Sequence, residues 1–360
     1  MINILLAHSS LGNGGITNVL KEIVRWINKE RFHIDILMYK GGDTAYQEYF
    51  ESLGCQVYEA INPRDNYHAC KEFIAQLNEE KKYSVIHSCN YLNSGYLMQI
   101  GRELNIPIRI VHSHASQDFQ TNIKYRLYKW LMQRKIKKNA TDFIACSDKA
   151  GEYLFEKHPF IVIENAIDAQ SLCFSEAKRN QIRDMYSFSK DDIVIGMVGM
   201  ITEIKNQTFM LDVLNKLDAT YKLLIVGDGE KREEVENKIR ALNLHDRVQI
   251  TGWVKSAKDN YSCFDIFVMP SLSEGFPLSG LEAQANGLAT IFSDCVTKSL
   301  KLSESVSFLP IGKEHIDLWK KEIMNKAYKR MNRSNTVIGT DYDIHENIKK
   351  WEKLYQSIKS

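Results

Sequence analysis

Ser273-Glu274-Gly275-Phe276-Pro277-Leu278-Ser279-Gly280-Leu281-Glu282-Ala283 is the stretch around which the chain is organised. Before it runs Phe264-Asp265-Ile266-Phe267-Val268-Met269-Pro270, apolar enough for a buried strand, while Gly280 to Asn286 reads as the first turns of a helix. Two carboxylates, Glu274 and Glu282, therefore flank a strand-to-helix turn. Gly275 lets a ligand approach the backbone closely, and Pro277 removes one N–H and stiffens the turn. The N–H groups near Leu278 and Ser279 fall at a helix N-terminus, where partial positive charge favours an anion such as a phosphate. Ionised glutamates only accept hydrogen bonds, which suits hydroxyl groups.

Upstream, Ile193-Val194-Ile195-Gly196-Met197-Val198-Gly199 opens an α/β unit, followed by Met200-Ile201-Thr202-Glu203-Ile204-Lys205 and a helix through Leu217. Tyr221–Val226 is a second buried strand ending in Gly227-Asp228-Gly229-Glu230. Val248-Gln249-Ile250-Thr251-Gly252-Trp253-Val254 reads as the next strand and turn, and Ala289–Phe292 as one more strand. Singly, each turn is ordinary strand-end chemistry. The polar segment Ala169 to Asp192 reads as linker plus helix.

The first half repeats the plan. Ile2 to Ala7 precedes Leu11-Gly12-Asn13-Gly14-Gly15, and Ile16, Val19, Leu20, Ile23, Val24 and Ile27 then recur at helical spacing. The loop is not a full G-x-G-x-x-G, so a dinucleotide reading is weak. Further strands are expected at Phe32–Met38, Gln56–Tyr58, Val85–His87, Ile108–His112 and Phe143–Ser147, with helical patterns between most of them. The alternation implies a mostly parallel sheet with ligands at the strand C-terminal ends. His87, His112 and His114 lie at such ends. A metal site from His112 and His114 lacks an evident third or fourth ligand.

Between Phe119 and Asn139 there are seven Lys/Arg and no Asp or Glu, interleaved with Tyr125, Leu127, Tyr128, Trp130 and Leu131. This reads as a basic helix suited to an anionic membrane surface. Lys124, Arg126, Lys129, Trp130, Arg134 and Lys135 are its candidate contacts, although Arg134 and Lys138 intrude on the apolar side. The bland alternative is a partly packed surface helix with solvated charges. No nucleic-acid motif accompanies it.

The 360 residues suffice for two domains, and a net charge of +2 gives no global sign of a nucleic-acid partner. Seven scattered cysteines with no C-x-x-C pair argue against a zinc site and a disulfide framework. The N-terminus lacks the pattern of a signal peptide, and no apolar run is long enough to span a bilayer. The expectation is a cytoplasmic protein, peripheral at the inner face of the cell membrane, with the oligomeric state undetermined.

The string Glu274-Gly275-Phe276-Pro277 with Glu282 resembles the Glu-x7-Glu motif of retaining glycosyltransferases of family 4, which have the GT-B fold: two Rossmann-like, doubly wound α/β domains facing across a cleft. Gly227-Asp228-Gly229 and Val248–Val254 match the family in order, and Asn165-Ala166-Ile167-Asp168 resembles its N-G-[IV]-D domain crossing. Ala for Gly there implies a turn without positive φ. The resemblance sets an acceptor-binding domain at 1–168, a nucleotide-sugar-binding domain at 169–341, and a C-terminal helix (342–360) packed back on the first.

It also implies site roles. Glu274 would meet the donor sugar and Glu282 the ribose hydroxyls. Lys205, with Gly275, Phe276, Pro277, Leu278 and Ser279, would serve diphosphate and sugar. Gly14 and Gly15 would lie under the donor phosphates, and His114 would face the sugar. Gly199, Thr202, Gly227 and Val254 would line the nucleotide. The family's G-R-x-x-x-x-K segment keeps its Lys as Lys205 but has Met200 in the Arg position. Loss of that cation would cost about 1.5–3 kcal/mol of charge-assisted binding if nothing replaces it. No Asp-x-Asp motif is present, so the resemblance requires no metal and no cofactor beyond the nucleotide sugar as co-substrate. The implied activity is hexosyl transfer with retention from a nucleotide diphosphate sugar, a UDP-sugar above all, to a hydroxyl of a lipid-linked saccharide in bacterial capsule or exopolysaccharide synthesis. A GT-B nucleotide-sugar epimerase, a non-catalytic partner subunit and a membrane-binding module with a vestigial cleft are the alternatives.

Overall fold

The computed structural model describes residues 1–12, 14–39, 41–115, 122–327 and 334–357. Chain contacts divide it into two units: Met1–Ala166 with Ile344–Ser360, and Ile167–Asp343. Asn13 of the expected glycine loop, residues 119–121 of the expected basic helix and residues 358–360 of the expected last helix lie outside the described residues.

In the first unit, β1 (Ile2–Ala7), β2 (Phe32–Met38), β3 (Val57–Glu59), β4 (Val85–Ser88), β5 (Ile108–Ser113), β6 (Asp142–Ala145) and β7 (Ile161–Val162) alternate with helices. These are α1 (Gly15–Trp26), α2 (Thr44–Ser52), α3 (Tyr67–Lys81), α4 (Ser94–Glu103), α5 (Ile123–Asn139) and α6 (Asp148–Phe155). The strands pair in parallel in the order β3-β2-β1-β4-β5-β6-β7. Crossing from β3 back to β4 reverses the direction of growth. The topological switch point, where open α/β sheets bind ligands, is therefore at the C-terminal ends of β1 and β4. Local chemistry starts the helices: the side chains of Asp43, Asn66, Asn122 and Ser147 accept N-cap hydrogen bonds for α2, α3, α5 and α6. In α1, Val19, Leu20, Ile23 and Val24 are buried, as their helical spacing requires.

The second unit contains β8 (Ile193–Val198), β9 (Tyr221–Val226), β10 (Val248–Ile250), β11 (Ile266–Met269), β12 (Ala289–Ser293) and β13 (Val306–Leu309). Its helices are α7 (Glu176–Met185), α8 (Gln207–Asn215), α9 (Arg232–Ala241), α10 (Asn260–Cys263), α11 (Leu278–Ala285) and α12 (Ile316–Lys326). The parallel order is β10-β9-β8-β11-β12-β13, which sets this unit's switch point at the ends of β8 and β11. Strand alternation builds two cores. Ile195, Met197, Leu223 and Ile225 cluster with Phe209, Leu214 and Trp319. Val194, Leu224 and Val226 cluster with Tyr261, Phe264, Phe267 and Leu281. The polar linker carries more structure than its composition shows. Arg183 of α7 is buried, and with Arg179 it pairs with buried Asp265, which also accepts from the Val194 amide. Two guanidinium groups and an amide thus offset the burial of one carboxylate.

A last helix, α13 (Ile344–Tyr355), belongs to the first unit. Trp26 meets His345 edge-on, Glu352 accepts from the Asn28 amide, Lys350 pairs with Glu164 at 3.0 Å, and Trp351 and Tyr355 are buried. Ala166 is not among the residues of positive φ.

Candidate functional site

The site residues of the second unit gather at its switch point. After β8 the chain passes through Gly199 (φ +142°) into residues 200–206, and after β11 it runs through residues 270–277 into α11. The two loops are pinned together. Asn206 Nδ2 donates to the Pro270 carbonyl (3.1 Å) and the Leu272 amide to the Ile204 carbonyl (2.8 Å), while Gln207 Nε2 holds the Met200 carbonyl (3.0 Å). This bracing brings Lys205 Nζ to 2.7 Å from Glu274 Oε1, with both side chains largely screened from solvent. Lys205 reaches that point by crossing Gly199: a Cβ there would lie 3.2 Å from Lys205 Cε. A small pocket between the loops is lined by Met197, Lys205, Gln207, Met269 and Ser271.

Gly227 and Gly229 are required by close backbone packing. A Cβ on Gly227 (φ +143°) would sit 2.2 Å from the Gly199 carbonyl oxygen, and one on Gly229 2.3 Å from the Ile201 oxygen. Thr251 Oγ1 accepts from the Gly227 amide (3.2 Å), and Gly227 bridges to Gly252, two residues before half-buried Val254. Thr202 Oγ1 accepts weakly from the Lys205 amide (3.4 Å).

Pro277 is the N-cap of α11 and supplies no side-chain hydrogen bond to it. The leading amides, with Leu278 and Ser279 among them, are oriented as helix geometry dictates, toward an external acceptor. Gly275 is exposed, and Phe276 stacks on Tyr342 with ring centroids 5.0 Å apart. Glu282 is fixed by a partner that sequence reasoning missed. Buried Tyr261 donates from Oη to Glu282 Oε2 at 2.6 Å, and burial together with the Glu282 charge raises its pKa well above the ordinary phenol range. The contact crosses from α10 to α11, and no motif spacing announces it. Met200, at the position of the missing Arg, is exposed, and the nearby Lys231 ammonium pairs with Glu203 and Glu234.

In the first unit Gly14 and Gly15 open α1, both exposed, with nothing within 4 Å of an added Cβ. His114 is half-buried, its two ring nitrogens are hidden without hydrogen-bond partners, and its ring centroid lies 3.9 Å from that of His112. Burial, then the neighbouring His8, lowers its pKa to about 3. His87 falls likewise to about 3, through burial and His114, and His112 falls well below its usual range. The imidazoles are neutral at pH 7. His112 has ligand-forming neighbours other than His114. The structure brings His87 and Cys89 to His112, with one ligand atom from each within 4.8 Å of the others. The relevant signal is strand register: His87 pairs with Ile110, which sets Cys89 beside His112 on the same face.

Helix α5 turns its apolar side outward. Ile123, Leu127, Trp130 and Leu131 are exposed, together with Lys124, Arg126 and Arg134, whereas Met132, Gln133, Ile136 and Asn139 are buried. Arg134 lies over the Trp130 ring. Lys129 and Lys135 are not on that stripe: each is half-buried, with its ammonium over the ring of Tyr153 (3.7 Å) or Tyr96 (4.5 Å). Gly95 allows the α4–α5 approach that draws Lys135 in. Among the described residues no helix is long and apolar enough to cross a membrane.

Two doubly wound, parallel-sheet α/β units are the architecture of the GT-B class of glycosyltransferases. The chain belongs to the family 4 and group 1 glycosyltransferases: residues 13–171 match the profile described as Glycosyltransferase Family 4, and residues 192–308 that of Glycosyl transferases group 1. It is 28% identical over 355 residues to EpsF of Bacillus subtilis (strain 168), a presumptive glycosyltransferase by name, covering 94% of this chain and 92% of EpsF. It is 24% identical over 301 residues to an Escherichia coli UDP-Gal:alpha-D-GlcNAc-diphosphoundecaprenol alpha-1,3-galactosyltransferase, covering 78% and 76%. Among solved structures, Anabaena HepE in complex with UDP aligns with a TM-score of 0.82 at 17% identity, covering 99% of this chain and all of HepE.

Proposed function

We propose that this chain transfers a hexosyl group, with retained anomeric configuration, from a UDP-sugar to a hydroxyl of a lipid-linked saccharide during bacterial capsule or exopolysaccharide synthesis. The observation that carries this reading is the 2.7 Å Lys205–Glu274 pair at the second unit's switch point, with Glu282 fixed by Tyr261 on the helix that follows. The E. coli relative, named for transfer from UDP-Gal to a diphosphoundecaprenol-linked sugar, and the UDP bound to HepE support the donor and acceptor classes.

In this reading the diphosphate takes Lys205 and the first amides of α11. Glu274, released from Lys205, accepts from hydroxyls of the donor sugar, and Glu282 accepts from the ribose. Gly199, Thr202, Gly227 and Val254 line the nucleotide, and Gly275 to Ser279 contact diphosphate and sugar. The acceptor oxygen attacks C1 on the face the diphosphate leaves. The C1–O bond to phosphate breaks, a C1–O bond to the acceptor forms, and the acceptor proton passes to the departing phosphate oxygen. The protein supplies position and charge stabilisation, and the reading uses no metal and no separate nucleophile. The exposed apolar and basic stripe of α5 rests on an anionic membrane surface, which brings the enzyme to lipid-linked acceptors.

The test is thermal melting with saturating UDP, GDP, ADP or CMP, followed by incubation of the matching nucleotide sugar with a lipid-linked saccharide. A ligand that binds only the folded state adds about 2.7 kcal/mol at a hundred times its Kd. A shift with UDP and an acceptor-dependent glycoside are expected. No shift with any nucleotide, or sugar turnover without acceptor, would overturn the assignment.

A further inference from the structure

The first unit's switch point holds a second cluster of ligand-forming side chains, which the transfer chemistry does not use. His87 and Cys89 lie at the end of β4, and His112 on β5. Residues two apart on a strand share a face, and the His87–Ile110 register carries Cys89 to the side of His112. All three side chains are buried, with relative exposures of 0, 3 and 1%. Cys89 Sγ lies 3.7 Å from His87 Nε2 and 3.9 Å from His112 Nδ1.

Both separations are at the outer edge of hydrogen-bond range for sulfur, which can donate to one imidazole and accept from the other. His112 Nε2 is buried without a partner. The two sulfur–nitrogen separations come within about 0.4 Å of the roughly 3.3–3.6 Å that metal–sulfur and metal–nitrogen bonds of about 2.3 and 2.0–2.1 Å set between tetrahedral ligand atoms, and all three ligand atoms lie within 4.8 Å of one another. A surrounding shell is in place. His87 Nδ1 lies 2.8 Å from Tyr355 Oη, so an Nδ1–H donated to that oxygen leaves the Nε2 lone pair directed at the cysteine. Trp351 stacks on His87 at 5.1 Å and lies 5.0 Å from His112, restraining both rings.

We propose that His87 Nε2, Cys89 Sγ and His112 Nδ1 form a three-ligand site for a thiophilic divalent metal of the zinc class. Two neutral imidazoles and one thiolate carry a single negative charge. Binding releases the Cys89 proton to water, and the fourth coordination position falls to a water or another small oxygen ligand. Nitrogen and sulfur donors without a carboxylate select zinc or cobalt over magnesium or calcium. Tyr355 is a positioning residue, acting through His87. The proposal is independent of the glycosyltransferase reading.

The experiment is a cobalt(II) titration of the chelator-stripped full chain in a Cys295→Ser background, which removes the exposed thiol. Thiolate-to-cobalt charge transfer and tetrahedral d–d bands saturating at one equivalent, and displaced by zinc, are expected. Cys89→Ser should abolish the charge-transfer band, His112→Asn should weaken binding more than a hundredfold, and Tyr355→Phe should weaken it about ten- to a hundredfold while keeping the band. A band that survives Cys89→Ser, or unaltered spectra on titration, would overturn the site. Should the ligand variants fail to fold, zinc-edge X-ray absorption on the zinc-titrated Cys295→Ser protein decides: one sulfur and two imidazoles support the site, and a shell without sulfur refutes it.

Discussion

The two units make their first strand-to-helix turn from glycine in opposite ways. In the first unit Gly14 has an extended backbone (φ −130°) and, like Gly15, open space where a side chain would stand. In the second, Gly199 and Gly227 both have φ near +140°, and the absent Gly227 side chain is what lets the β8 and β9 turns touch. The same fold element is thus loosely built in one unit and over-determined in the other. Under the proposed function, a rigid floor at Gly199 and Gly227 suits the binding of a nucleotide.

The sharpest way to break this contrast is at the ion pair. Lys205→Ala or Glu274→Ala should lower kcat about 10²–10³-fold, the usual cost of removing one preorganised charge, with little change in melting temperature. Steady-state kinetics and melting together check it. Equal small losses from both would move the chemistry elsewhere.

Next in size is a surface effect confined to the first unit. Changing Lys124, Arg126 and Arg134 together to Gln should weaken binding to anionic vesicles by about 1 kcal/mol per residue at low salt. Lys129→Gln and Lys135→Gln, which face tyrosines, should alter it far less. Vesicle co-sedimentation separates the two sets.

The glycines themselves come third. Gly227→Ala should destabilise by about 2–3 kcal/mol through its left-handed φ and the 2.2 Å approach to Gly199. Gly14→Ala should stay within about 0.5 kcal/mol. Denaturant melts of both variants would show whether the two turns differ as described.

The smallest expected effect is Tyr261→Phe, which removes one hydrogen bond from Glu282. It should cost about 1 kcal/mol, or roughly fivefold in nucleotide affinity, with kcat nearly unchanged. Calorimetric titration with UDP measures it.

Much of this was legible in the sequence wherever the determinant is local. Apolar runs of strand length placed β1, β2 and β9 at their observed bounds, and the Glu274–Glu282 string placed a turn between β11 and α11. Determinants that depend on the third dimension were hidden. Arg183 reads as a solvated linker charge until Asp265 is brought beside it. Tyr261 belongs to no motif, and only the fold brings its hydroxyl to Glu282. The Cys89–His112 juxtaposition follows only from the β4–β5 register, which periodicity does not supply. On α5 the apolar residues were visible, but helical spacing alone could not show that Met132 and Ile136, not Trp130 and Leu131, are buried.

The return of α13 to the first unit has a consequence for how the chain is made. Synthesis is vectorial, and domains generally fold as they emerge. Residues 1–166 leave the ribosome well before Trp351 and Tyr355 exist to cover Phe32 and His87. At roughly 5–20 residues per second, that interval lasts on the order of ten to thirty-five seconds. During it the nascent sheet carries an uncovered apolar face, a ready target for a chaperone, while the intervening second unit is self-contained and can fold first. The polypeptide that begins first is the one completed last.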